Sequence, residues 1–413
     1  MADTAPAGDR IATLDVIRGI AVMGILIMNI ASFGMPETAY LNPRAYGGDT
    51  GVDLATYLFN FVLFDGKMRG LFSFLFGAST LLVIERAEAR GASAARVHYA
   101  RMAWLLVFGL LHLYLLWWGD ILNHYALVGM ILFFFRNWRP RALVTTAIIL
   151  LTVQSLLLAG LPFAVAMTEA EASKPNATAK AIESRQDMEN TFGKPSAKNI
   201  AEDLRAYRGD YADTVAKRSE DGPSPVIGAL VIVGMETLAY MLLGMTMLKT
   251  GMFRGEWPVS RYRRWLLIGF GIGIPAYSAI AWYLVDAGFT AFSVALGVIA
   301  LSAPFRPLMI MGWASLIALL ARMRGPLIER IGAAGRMAFT NYLMTTILCT
   351  TLFNGYGFGL YGYLSRAQLY LVVFGMWALM LLWSKPWLDR YRYGPFEWVW
   401  RSLSRGAFQP MAR

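Results

Sequence analysis

His112, Asp120 and His124 fall close together in a chain with only three histidines. A neutral imidazole oriented by a carboxylate is a general base near neutral pH. The spacing therefore predicts His112 as a base with Asp120 as its orienting partner, and His124 as a weaker second choice. The same residues also read as a polar bridge between helices, with Asp120 capping the helix that follows. A second constellation centres on Glu236, the one acidic residue in the apolar stretch 225–248. A carboxylate at the middle of a membrane helix costs about 2.5–3.5 kcal/mol on insertion scales, so it must be protonated, paired or facing water. Arg306, flanked by Pro304 and Pro307, is its natural counter-charge, because proline breaks are tolerated where backbone lines protein or water. Asp15 and Arg18 stand one helical turn apart. They form either an anchoring ion pair or an arginine presented to a phosphate. Lys67 and Arg69, beside Asp65, read either as snorkelling anchors or as a cationic site for an anionic headgroup or sugar.

The elements that carry these groups are apolar. Of 413 residues, 57% are hydrophobic and 16% charged, with mean hydropathy +0.46, against about 25% charged in a soluble domain. Repeated apolar runs of near 20 residues predict an all-α, polytopic transmembrane bundle in contact with the lipid bilayer. The net charge of +11 is spread over loops in the manner of the positive-inside rule, which points to anionic lipid and away from nucleic acid. Cys349 is the single cysteine, so no intrachain disulfide forms, and the histidines are too scattered for a zinc site. No metal is expected. Asp9 and Arg10 lead into an apolar run without a cleavage site, which reads as a retained first span.

Ten spans are expected, at residues 16–33, 71–84, 102–118, 121–135, 142–167, 225–248, 264–285, 292–320, 337–353 and 368–383. An amphipathic stretch, 52–64, is too short to cross. The eighth span is long and broken around Arg306. Arginines gather in alternate loops, among them Arg86, Arg101, Arg136, Arg254, Arg322 and Arg336, together with the tail from Lys385 onward. Both termini are accordingly expected in the cytoplasm, in a multi-pass protein of the cell's inner (plasma) membrane. The regions are 1–167 with five spans, a polar outer segment 168–223, 224–384 with five more, and a basic tail 385–413. The polar segment has 11 acidic and 9 basic residues over 168–222. It is expected to be a mobile loop, with a helix conceivable over 201–218. Gly269-Phe-Gly-Ile-Gly273 sits within an apolar span and predicts close helix packing rather than dinucleotide binding.

The opening Arg10-Ile-Ala-Thr-Leu-Asp15-Val-Ile-Arg18-Gly19 resembles that of membrane-bound acyltransferases, including heparan-alpha-glucosaminide N-acetyltransferase and acyltransferase family three. The rest is more similar to the YeiB-like proteins, whose C-terminal half is a domain of unknown function. The matching stretches are Asp65-Gly-Lys-Met-Arg-Gly-Leu-Phe-Ser-Phe-Leu-Phe-Gly77, Gly109-Leu-Leu-His112 with Gly119-Asp-Ile-Leu122, and Glu236 with Leu243-Gly-Met245. Gly335-Arg-Met-Ala-Phe-Thr-Asn-Tyr342 and Gly394-Pro-Phe-Glu-Trp-Val-Trp-Arg401 complete the likeness. The acyltransferase resemblance implies an acyl-CoA donor bound from the cytoplasm and a glycan or lipid acceptor reached from the other side. It also implies a basic residue that takes the acceptor's proton or carries the acyl group. Family three places a histidine near the outer end of its first span where this chain has Asn29, and residues 34–51 lack the histidine of the heparan enzyme. That catalytic residue does not carry over, which leaves His112 and Asp120.

The functional expectation is transfer of an acyl group from a cytoplasmic acyl-CoA-type donor. His112 serves as base, and Arg18 and Arg336 hold donor phosphates; Arg336 equally satisfies the charge rule alone. Asp15, Lys67, Arg69, Glu236 and Arg306 are expected to bind substrate around one shared, water-accessible chamber. Two other readings stand beside it. One is a transporter with Glu236 as a proton or cation site and Arg306 as gate. The other is a catalytically silent membrane scaffold.

Overall fold

A computed structural model describes residues 11–220 and 222–413; the expected lead residues Asp9 and Arg10 lie outside them. Among the described residues the regular elements are helices, with one isolated backbone bridge between Tyr391 and Ala412. Eight of the helical segments are long and apolar enough to cross a membrane. The protein is a multi-pass helical bundle. Two of the ten expected spans prove apolar but shorter, at Leu122–Phe135 and Ala338–Phe353.

Helix α1 (Ala12–Gly34) is central. Of its most apolar window 83% is buried, whereas α6 (Pro140–Ala172) buries only 17% and faces lipid. Between them come α2 (Gly51–Leu63), α3 (Lys67–Ala89), α4 (Ala94–Leu111) and α5 (Leu122–Leu132). The expected break at Asp65-Gly66 is present. Gly66 takes φ +68° there, a left-handed turn that glycine adopts without steric cost. Helix α10 (Ser224–Lys249) crosses α3 so closely that a Cβ on Gly244 would lie 1.9 Å from the Phe74 carbonyl oxygen. Small residues admit such backbone approach between membrane helices. Gly269, on α11 (Val259–Asp286), plays the same part against Leu308 and Gly312, as its sequence context led us to expect.

The eighth expected span is interrupted where the prolines require it. A short α12 (Ala291–Val294) passes into a π-helical turn (Ala295–Leu301) and a 3₁₀ turn (Ala303–Phe305), and α13 (Arg306–Leu320) then resumes. Helices α14 (Pro326–Arg336), α15 (Ala338–Phe353) and α16 (Arg366–Arg390) complete the bundle.

Two polar ends result. At the arginine-rich end, Arg254 lies 3.9 Å from Glu85, and Arg322 donates to the carbonyls of Gly255 and Trp257. There the tail, expected only as a basic extension, folds into α17 (Pro395–Arg405). At the far end the polar segment 168–222 is not a mobile loop. It forms α7 (Ala179–Phe192), α8 (Ala197–Arg208) and α9 (Tyr211–Ser219), each with a side-chain N-cap, from Thr178, Ser196 and Asp210. The single helix conceivable over 201–218 is split at Gly209. Asn42 donates to the carbonyls of Phe192, Gly193 and Phe289, and the Gly355 amide donates to Tyr207 O, so these helices are tied to the bundle.

Candidate functional site

The first constellation assembles as expected. Helix α4 ends in a π-helical turn, His112–Leu116, closed by a 2.8 Å bond from the Trp117 amide to the His112 carbonyl. The extra residue in that turn re-aims the side chains around it, and such bulges gather at functional sites. Nδ1 of His112 is 2.7 Å from Asp120 Oδ1, and Nε2 is 3.0 Å from the Thr346 hydroxyl on α15. Asp120 Oδ2 accepts from the Asn123 amide at 2.9 Å and from its side chain at 2.7 Å. Asp120 therefore contacts both elements at once, accepting from the first turn of α5 while its other oxygen lies against His112 Nδ1. The imidazole is 1% exposed.

The second constellation also assembles, with a partner that sequence reasoning placed elsewhere. Glu236 Oε1 accepts from Arg306 Nη1 at 2.5 Å and from the Tyr240 hydroxyl at 2.9 Å, while Oε2 accepts from Arg69 Nη2 at 2.6 Å. Arg69 was expected either to snorkel to the surface or to bind a headgroup; its guanidinium points inward, part-buried, to pair with Glu236 of α10. Lys67, unlike the part-buried Arg69, is fully buried. Its ammonium donates to the Phe61 carbonyl at 2.5 Å and sits 3.2 Å from the Tyr277 ring centroid. A cation lying over an aromatic face is held by the ring quadrupole. His124 stands beside this cluster, 2.9 Å from the Thr237 hydroxyl.

The shared chamber takes a different form from the one expected. A cavity of about 500 Å³ is lined by Asp15, Arg18 and Arg336, but Lys67, Arg69, Glu236 and Arg306 do not line it. Glu236 is paired there with Arg69 and Arg306, and Lys67 is held by the Phe61 carbonyl and the Tyr277 ring. The cavity has two zones. Among the described residues its mouth, at the arginine-rich end, carries six arginines (Arg18, Arg86, Arg101, Arg336, Arg392 and Arg401) and two carboxylates, Asp15 and Glu397. Its throat is apolar and aromatic, formed by Ile25, Phe72, Phe76, Leu105, Tyr125 and Tyr342.

Both carboxylates at the mouth are engaged. Asp15 pairs with Arg18 at 3.3 Å, and Arg18 also donates to Ser79 at 2.9 Å. Glu397 accepts from the amides of Phe339 and Thr340 at the start of α15 and from the Thr340 hydroxyl. Burial pushes the Glu397 carboxyl up, against the pull of those hydrogen bonds. Arg101 stacks on Trp400 and Arg401 on Tyr393, and neither forms an ion pair with a carboxylate among the described residues. Burial pulls the Arg401 guanidinium down, as do the positive charges of Arg405 and Arg18, against the opposing pull of Tyr393 and Glu397. Among the described residues the mouth is therefore richer in guanidinium than in carboxylate groups, the electrostatic form of an anion site.

Beyond Ile25 and Tyr342 lies a void of about 10 Å³ that shares both residues with the cavity and is lined further by Asn29, Thr345 and Thr346. Thr346 is the hydroxyl bonded to His112. The cavity, the void and the His112–Asp120 pair thus follow one another from the arginine-rich end inward. A larger groove of about 910 Å³ between α6 and the π-helical turn of residues 295–301 carries no charged residue. It faces lipid.

Arg101, Arg401, Glu397 and Thr346 were missed from sequence. The signal for the middle two was the Gly-Pro-x-Glu start at residues 394–397, a helix beginning with proline and an acid in its first turn.

Comparison with known proteins places the chain. It is 32% identical over 97% of its length, and 98% of the other chain, to "Uncharacterized protein YeiB" of Escherichia coli (strain K12). It is also 31% identical over 98% of its length, and 96% of the other chain, to "Uncharacterized protein YxaH" of Bacillus subtilis (strain 168). The chain belongs to the YeiB-like family. Residues 247–407 match the family described as "Protein of unknown function (DUF418)", a region that takes in α11–α17. A third relative, "Uncharacterized 39.9 kDa protein in amylase 3'region" of Bacillus acidopullulyticus, is 25% identical over 96% of this chain and 94% of its own. No solved structure matches. The DUF418 region supplies Arg336, Tyr342, Thr346, Glu397 and Arg401. The cavity is therefore built jointly by that region and the helices before it.

Proposed function

We propose that this member of the YeiB-like family is a membrane-embedded acyltransferase whose donor is an acyl thioester of coenzyme A entering from the arginine-rich end. The distribution of loop charges supports placing that end in the cytoplasm. The observation that carries the reading is the cavity's two-zone character, a mouth of six arginines leading into an apolar throat. A phosphate-bearing headgroup on an apolar or acyl arm matches both zones at once, since guanidinium forks recognise phosphate oxygens and aromatic walls accept the arm. Arg18 and Arg336 serve the phosphates, as the sequence suggested, together with Arg101 and Arg401.

His112 is the base. With Asp120 accepting from Nδ1–H, Nε2 is the acceptor nitrogen, 3.0 Å from the Thr346 hydroxyl, and can take a proton from a nucleophile at the inner end of the throat. The acceptor comes from the far end, from a glycan or lipid. Glu236, Arg69 and Arg306 act by holding α3, α10 and α13 in register around this path. Both oxygens of Glu236 are already committed to guanidinium groups, which argues against a proton-carrying transport site.

The test is equilibrium binding of acetyl-CoA to the purified full chain and to Arg18→Ala. The wild type binds, and the variant binds at least about tenfold more weakly, the effect of losing one charge-assisted contact. Absence of binding by the wild type removes the enzyme reading.

A further inference from the structure

The void between the cavity and His112 sets a steric problem for direct transfer. At about 10 Å³ it has room for about one water. A donor's thioester and an acceptor's nucleophile cannot occupy it together. Yet one wall is a hydroxyl held in a geometry suited to attack: Thr346 Oγ1, 3.0 Å from His112 Nε2, whose Nδ1 is 2.7 Å from Asp120. Hydroxyl, imidazole and carboxylate in sequence are the arrangement by which an alcohol becomes a nucleophile.

The protonation pattern follows from the partners. Asp120 Oδ2 is held by two N–H groups of Asn123, so the carboxylate is fixed as an acceptor and the neutral ring carries its proton on Nδ1. Nε2 then accepts from Thr346. Thr346 has one competing acceptor, the Tyr342 carbonyl at 3.3 Å within its own helix. That contact is the longer of the two.

Resting on the acyltransferase reading above, we propose that Thr346 is an acyl-carrying nucleophile and that transfer proceeds through an ester on its side chain. In the first half, Thr346 Oγ attacks the thioester carbonyl. The C–O bond forms as the C–S bond breaks, and the hydroxyl proton passes to His112 Nε2 and on to the departing thiolate. In the second half, an acceptor hydroxyl or amine attacks the ester carbonyl and gives its proton to His112. Thr346 Oγ leaves and takes that proton back. Donor and acceptor therefore never share the void, and each approaches from its own side of the bundle.

The experiment uses the full chain in detergent with acetyl-CoA and no acceptor, reading free thiol, intact mass and peptide mass. The wild type releases a burst of about one thiol per chain and gains one acetyl group, removable by hydroxylamine, on the peptide carrying Thr346. Thr346→Val binds acetyl-CoA as the wild type does, keeps its thermal midpoint and gives no burst. Thr346→Ser restores the burst. His112→Gln binds but releases thiol at least about a hundredfold more slowly. Wild-type binding without burst or adduct, an adduct at another residue, or a full burst from Thr346→Val overturns the covalent step while leaving the donor site standing. Failure to bind acetyl-CoA at all overturns both.

Discussion

Replacing Glu236 with glutamine tests the ion cluster that holds three helices together. Its carboxylate accepts two guanidinium hydrogen bonds, at 2.6 and 2.5 Å, and one hydroxyl at 2.9 Å, with 4% of the side chain exposed. The amide keeps the shape but removes the charge, leaving Arg69 and Arg306 buried without a counter-ion. Breaking a buried pair from one side costs about 3–5 kcal/mol, because the remaining charge keeps its desolvation penalty. The two pairs share one carboxylate, so their losses do not add. Arg69 is 21% exposed against 10% for Arg306, and its residual hydration holds the total within that range. Steric-trap unfolding in bicelles reads the free energy directly. A triple change, Glu236→Leu with Arg69→Met and Arg306→Met, should recover most of the loss, since well-packed apolar replacements of buried ion groups are often neutral. If Glu236→Gln lies within about 0.5 kcal/mol of wild type, the size of an ordinary surface change, the structural role assigned to the cluster is wrong.

Three further outcomes follow from the geometry. Arg101→Ala and Arg401→Ala should each weaken acetyl-CoA binding about 10- to 100-fold at low salt, with a smaller ratio in high salt, by isothermal titration. Gly244→Leu should cost about 1–3 kcal/mol or block folding, because its side chain would enter the Phe74 backbone on α3, whereas the lipid-facing Gly375→Leu should be tolerated; steric trapping distinguishes them. The folded-state pKa of Glu397 is raised above the ordinary 4.5, so the folded protein holds that proton more tightly than the unfolded one. The contribution of this group to α17 docking is full below the ordinary value and lost as pH rises through the raised one. The protection of α17 amides, taken relative to their intrinsic exchange rates, should therefore fall across that window in the wild type and stay flat in Glu397→Gln; identical profiles would refute the assignment.

Much of the bundle was legible because apolar run length is set by bilayer thickness, and the proline pair around Arg306 announced its own break. The His112–Asp120 and Glu236–Arg306 meetings were legible too, since buried polar groups among apolar helices must find partners. The inward placement of Arg69 and Lys67 was not legible, because their spacing in the sequence does not say which face of a helix turns inward. Fully burying Lys67 needs the Tyr277 ring, 210 positions away in the chain. The far-end helices were missed although Thr178, Ser196 and Asp210 mark their starts, because polar composition outweighed cap signals. Helix α17 was missed for the same reason. Its arginines looked like loop charges until its aromatic face was seen against Arg101 and Phe339.

The central claim is that the arginine-mouthed cavity holds an acyl thioester with its reactive end beside His112. Photocrosslinking with a diazirine-bearing fatty acyl-CoA, followed by peptide mapping, addresses it most directly. The account predicts label on α1 and α15 around Ile25 and Tyr342, suppressed by excess unlabelled acyl-CoA and lost in Arg401→Ala. Label confined to the lipid-facing surfaces of α6 and α11, unaffected by competitor, would contradict it.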